Sequence, residues 1–201
     1  MRKWCAICLV LVLMLSTLAG CSPSETELLA GKWTATVDLA LAYGDLLARA
    51  DATVAAHMDL RDFEVELTLH FDEDGTYRLE ADQEDIAAGA VKLKEAIRKG
   101  MAAYLQAQTG KTMDNLLSAA SMTMDELMEQ YFAEDLAGVI LENLESEGTY
   151  KVTGGKLILL GKDGTKFFEG RYDVEEEELE LKSGVTRALM GSLLPLILEK
   201  K

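Results

Sequence analysis

The sequence predicts an α+β fold, an antiparallel β-barrel or strongly curved sheet with a multi-helix insertion and a C-terminal helix. Three observations carry this. Residues 31–40, 63–71 and 76–81, and again segments from Glu147 to Lys182, alternate apolar and polar side chains with a period of two, as half-buried strands do. Residues 84–146 between them switch to spacings of three and four, as amphipathic helices do. Turn residues Asp72-Glu73-Asp74-Gly75, Gly154-Gly155 and Lys162-Asp163-Gly164 fall where the strands must reverse.

The chain starts with Arg2 and Lys3, an unbroken apolar run from Trp4 to Leu15, and a small, weakly polar stretch to Gly20, which reads as a secretory signal over 1–20. Twelve apolar residues rise roughly 18 Å as a helix, against roughly 30 Å of hydrocarbon core, so a permanent span is not expected. Leu18-Ala19-Gly20-Cys21 then resembles the lipobox of bacterial lipoproteins. The resemblance implies a diacylglycerol thioether on Cys21, cleavage just before it, and an extracytoplasmic protein held to the bilayer by its acyl chains, palmitate among them. Two or more chains, at about 0.8 kcal/mol per buried methylene, anchor stably where one does not.

Cysteine usage fits that address. Of three cysteines, Cys5 and Cys8 lie in the leader and Cys21 is the acylation site, so no thiol remains for a disulfide, a thiolate metal site or a nucleophile. Removing the leader with Arg2 and Lys3 leaves 18 cations against 35 acids, a net −17. Nucleic acid is excluded as a partner, since a phosphate-binding surface needs clustered cations. The same charge holds the body off an anionic lipid surface. Residues 21–30, polar at first and carrying Pro23, read as a lipidated tether, and 31–201 as one domain with its helical insertion at about 84–146.

Within that domain Trp33, Ala35, Val37 and Leu39 share one side of a first strand over Gly31–Ala40. Leu46, Leu47, Ala50, Val54 and Met58 suggest a short helix after Asp45. Phe63, Val65, Leu67, Leu69 and Phe71 form the apolar face of a second strand whose other face carries Glu64, Glu66, Thr68 and His70. Gly75 supplies the positive φ of a hairpin to a third strand, Thr76–Ala81. Ile86, Ala90, Leu93, Ile97, Met101 and Tyr104 then mark a helix to about Gln108, stopped by Gly110. Short helices follow over 113–120, 124–132 and 134–145, the second opened by the capping-box pattern Thr123-Met124-Asp125-Glu126. Four more strands are expected at 149–153, 156–160, 165–174 and 179–182, and a helix-like apolar tail at 185–198.

Gly31-Lys32-Trp33, the hairpin Phe71–Tyr77, and Gly148-Thr149-Tyr150-Lys151-Val152 followed by Lys156-Leu157 resemble the lipocalin-like domains carried by many bacterial lipoproteins, a group mostly without assigned activity. The resemblance covers about 31–82 and 147–182 and departs at 84–146, where lipocalins have strands. It implies a barrel of packed strands with Trp33 closing one end, and it gives Gly31 and Gly75 structural roles. A barrel of about eight strands holds side chains or one small ligand.

No catalytic motif is present: no G-x-S-x-G, H-E-x-x-H, P-loop or dinucleotide fingerprint. The only histidines, His57 and His70, lack zinc-ligand spacing, and the position completing a calcium loop begun at Asp72 is Gln83. No catalytic residue, metal or cofactor is therefore expected, and the chain reads as a non-enzyme. The expected role is binding or accessory: a small apolar ligand or peptide between sheet and helices, with Met101, Tyr104, Met124 and Met128 as candidate lining residues. The alternative is a structural or interaction module with a filled barrel that docks an envelope protein.

Overall fold

The computed structural model describes residues 24–50, 52–131 and 135–201; the expected leader and Cys21 lie outside them. Among the described residues eight strands close into one antiparallel barrel in sequence order, with the last bonded back to the first. They are β1 (Gly31–Asp38), β2 (Glu64–Phe71), β3 (Thr76–Ala81), β4 (Ser146–Thr153), β5 (Lys156–Gly161), β6 (Lys166–Val174), β7 (Glu178–Thr186) and β8 (Leu196–Lys200). The helices are α1 (Glu25–Leu29), α2 (Leu39–Ala50), α3 (Ala52–Ala55), α4 (Gln83–Thr109), α5 (Met113–Ala119), α6 (Met124–Tyr131), α7 (Leu136–Leu144) and α8 (Ala188–Ser192). Closure leaves no unpaired sheet edge.

An up-and-down barrel reverses at alternate ends, so the connections sort into two sets. The tight turns 72–75, 154–155 and 175–177 lie at one end, the base, together with α1 and the C-terminal Lys200. The turn 162–165 and all the other helices leave from the opposite end. There α4 packs on β2 and α7 on β3, so the insertion lids that mouth.

The inward positions are taken by side chains. Trp33, Leu67, Leu69, Phe71, Leu79, Leu157, Phe168, Leu179 and Leu198 are each at most 2% exposed, and Phe71 meets the Tyr150 ring edge-on at 4.8 Å between centroids. A bulge lets two adjacent aromatics face in. Leu159 pairs with Phe168 but Leu160 pairs with Lys166, and the extra residue, Phe167, is buried beside its neighbour. The Phe168 ring lies over the paired glycines of β6 and β7, where a Cβ on Gly170 would come within 2.6 Å of it. Arg187 sits 5.2 Å above the Phe167 ring and donates to the Glu142 carbonyl, tying the end of α7 to the start of α8.

Helix α4 begins where Asp82 accepts from the Glu84 and Asp85 amides, and ends where Gly110 takes a left-handed conformation at φ 68°. Its buried stripe of Ile86, Gly89, Ala90, Leu93, Ala96 and Gly100 keeps helical spacing. Gly89 is obligatory for packing, since a Cβ there would lie 1.8 Å from the buried Phe63 ring.

Three expectations are corrected. The tail expected as one helix over 185–198 is helical only at Ala188–Ser192; Pro195 cannot continue the helix, and Leu196–Lys200 becomes the eighth strand, pairing with both β7 and β1. The helix expected after Asp45 starts at Leu39, straight out of β1, because the Asp38 carboxylate accepts from the Ala40 amide. The segment expected as a tether contains α1, opened by a capping box of Ser24 and Glu27 and docked through Leu29, which is fully buried.

Candidate functional site

Because Val65, Leu67, Leu69 and Phe71 point inward from β2, Glu66, Thr68 and His70 must point out, and the same alternation turns Arg78 and Glu80 of β3 and Glu147 and Thr149 of β4 to the outer wall. Register aligns them. Lys32 pairs with His70, His70 with Arg78, and Arg78 with Glu147, which gives one row across four strands. These residues, with Lys162 beyond β5, line a wide, open groove of about 1160 Å³.

The groove exists because β3 and β4 pair over a short stretch only, from Thr76–Thr149 to Leu79–Ser146. Glu80 and Ala81 run past the start of β4 where the helical insertion departs, and a slot opens between Glu80 and Glu145–Glu147. The groove wall beyond it is tight. A Cβ on Gly148 would come within 2.0 Å of the Leu160 carbonyl oxygen, so β4 and β5 approach as closely as backbone allows.

Both signs of charge are present. His70 Nε2 lies 3.0 Å from Asp72 Oδ1 and Arg78 3.6 Å from Glu80, while Lys162 bonds Glu147. That Lys162 bond, with a smaller pull from Lys162 and Arg78 charge, holds the Glu147 carboxyl below its ordinary range. All these side chains are largely solvated, and exposed pairs contribute little to stability, so the arrangement is available for recognition. Thr68, Thr76 and Thr149 supply neutral hydroxyls between the charges. Among the described residues no three His, Cys, Asp or Glu side chains gather as a metal site.

The four candidate lining residues do not meet here. Tyr104 of α4 faces His57, with ring centroids 6.0 Å apart, and Met101 is half-buried on the same turn. Met124 lies over Arg98, Ala102 and Met113 on a different face of α4, and Met128, 2% exposed, lies near Val91 and Lys94. None of the four belongs to the barrel core. Trp33 is buried at the base beneath α1, Gly31 adopts φ 125° with Lys200 packed against it, and Gly75 makes the hairpin turn at φ 87°. Lys32, Thr68, Arg78, Glu147 and Lys162 are the groove residues that sequence reasoning passed over. Each is an ordinary outward polar position, and only strand register assembles them.

The chain matches no protein-family model, no curated protein and no solved structure, so no enzyme family is identified for it. Among the described residues no helix is long and apolar enough to cross a membrane.

Proposed function

We propose that this chain is a lipid-anchored extracytoplasmic accessory protein of lipocalin-like build, acylated at Cys21, whose barrel is a filled scaffold and whose binding surface is the outer groove over β2–β5. One observation carries the reading: the interior is occupied by side chains at most 2% exposed, Trp33, Phe71 and Phe168 among them, whereas a wide concavity lies on the outside wall. A small apolar ligand needs a dry, concave, mostly apolar pocket. The groove is open and mixed in charge, which suits an extended polar segment of an envelope protein.

The test is in-cell photocrosslinking from Thr68 and Thr149, with Glu180 on the opposite wall as control. The reading expects one adduct of defined mass from the two groove positions, lost when Arg78→Glu is added. Adducts of equal yield from Glu180, or a stoichiometric apolar molecule released from the purified protein on denaturation, would contradict it.

A further inference from the structure

The position of the anchor relative to the fold carries a further conclusion, one that rests on the acylation of Cys21. The described chain starts at Ser24, and three residues span at most about 11 Å when fully extended. Ser24 opens α1, and α1 is not free to swing. Leu29 is fully buried, Trp33 Nε1 donates to the Leu29 carbonyl at 2.7 Å, Lys200 Nζ donates to the Leu28 carbonyl at 3.2 Å, and Tyr172 Oη donates to Glu25 Oε2 at 2.8 Å. These bonds tie α1 to β1, β8 and β6 at the base of the barrel.

We infer that the protein stands on the bilayer with the barrel base toward the lipid headgroups, and presents the helical end and the side-wall groove to the extracytoplasmic space. The short link fixes the distance and the docked helix fixes the orientation. The turns that then face the lipid carry Asp72, Glu73, Asp74 and Glu175–Glu177, so the base stands over the headgroups without inserting. Among the described residues, four of the five exposed large apolar side chains agree with this polarity, the fifth, Ile197, lying on the side wall in β8. Leu41 on α2, Val139 on α7 and Val185 at the end of β7 are all at the far end, and Val91 is on α4 of the lid.

The test uses the full acylated protein, reconstituted into vesicles of phosphatidylethanolamine and phosphatidylglycerol that carry a headgroup spin-labelled lipid. A fluorophore is placed at Glu73→Cys or Glu176→Cys at the base, or at Lys162→Cys at the far end; acylation blocks Cys21, so each label is unique. Quenching several-fold stronger at both base positions than at Lys162→Cys is expected, and ten Gly/Ser residues inserted between Pro23 and Ser24 should abolish the contrast. Equal quenching at the two ends, stronger quenching at Lys162→Cys, no quenching anywhere in vesicle-bound protein, or a contrast that survives the insertion overturns the orientation. Intact mass and vesicle flotation separate the two failures. Protein lacking acyl mass that does not float sinks the anchor itself, and the orientation with it.

Discussion

Trp33 Nε1 donates a 2.7 Å hydrogen bond to the carbonyl oxygen of Leu29, and this single contact joins the first strand to the helix that covers the base of the barrel. The same indole carries the Lys200 ammonium 4.9 Å above its ring, so the first and last strands are fastened at one residue. Trp33→Phe removes the donor, leaves the buried Leu29 carbonyl unpaired and opens part of a packed volume. A loss of about 1–3 kcal/mol is expected in urea unfolding, together with faster amide exchange in α1.

Gly89 and Gly44 give opposite outcomes for the same substitution. A Cβ on Gly89 meets the Phe63 ring at 1.8 Å, and that ring is stacked on Tyr43, whereas a Cβ on Gly44 meets nothing within 4 Å. Gly89→Ala should destabilise by about 1–3 kcal/mol, overpacking outweighing the gain in helix propensity. Gly44→Ala should stabilise by about 0.5–1 kcal/mol. Denaturant midpoints of the two variants check the pair.

Closure depends on the last strand. Leu196 and Leu198 are buried in the core, while Ile197 between them is 53% exposed. Truncation after Pro195 should leave a chain without a cooperative thermal transition, because β7 and β1 each lose one of their two partners and the barrel opens. Ile197→Thr should shift stability by no more than about 0.5 kcal/mol.

That strand also marks the limit of what sequence could reveal. Strands β2 and β3 are legible because the outward positions are polar, but in Leu193–Leu198 the outward residue is also apolar, which erases the two-residue period. Phe167 and Phe168 defeat the same rule through a bulge. Helix α1 was legible in principle: Ser24 and Glu27 form the same capping box as Thr123 and Glu126, yet Pro23 and the polar flank suggest a tether. Of the site, the individual outward side chains could be read, but the row from Lys32 to Glu147 depends on pairings such as Lys32–His70 and Arg78–Glu147 between distant parts of the chain, which no local pattern encodes.

Alkali should unfold the protein through its tyrosines. Burial pushes the Tyr43 hydroxyl up to about 12. Burial also raises Tyr77, against an opposing Ser146 bond, and raises Tyr172, where the Glu25 carboxylate adds to the effect. A phenol whose pKa is raised by folding contributes stability that is complete below its unfolded value, roughly 10, and is lost as pH rises through the folded value. Tyrosinate absorbance should therefore lag behind free tyrosine above pH 10 and then rise together with loss of far-ultraviolet ellipticity. Tyr43→Phe should move that transition to higher pH; a transition moved to lower pH would contradict the assignment.

The filled interior is tested most directly by Trp33, the one tryptophan of residues 24–201 and fully buried. Its emission, recorded during titration with a bromine-labelled fatty acid, reports whether an apolar ligand enters the barrel. The account predicts blue-shifted emission unchanged by the brominated acid. Saturable quenching at one equivalent would place a ligand inside and contradict it.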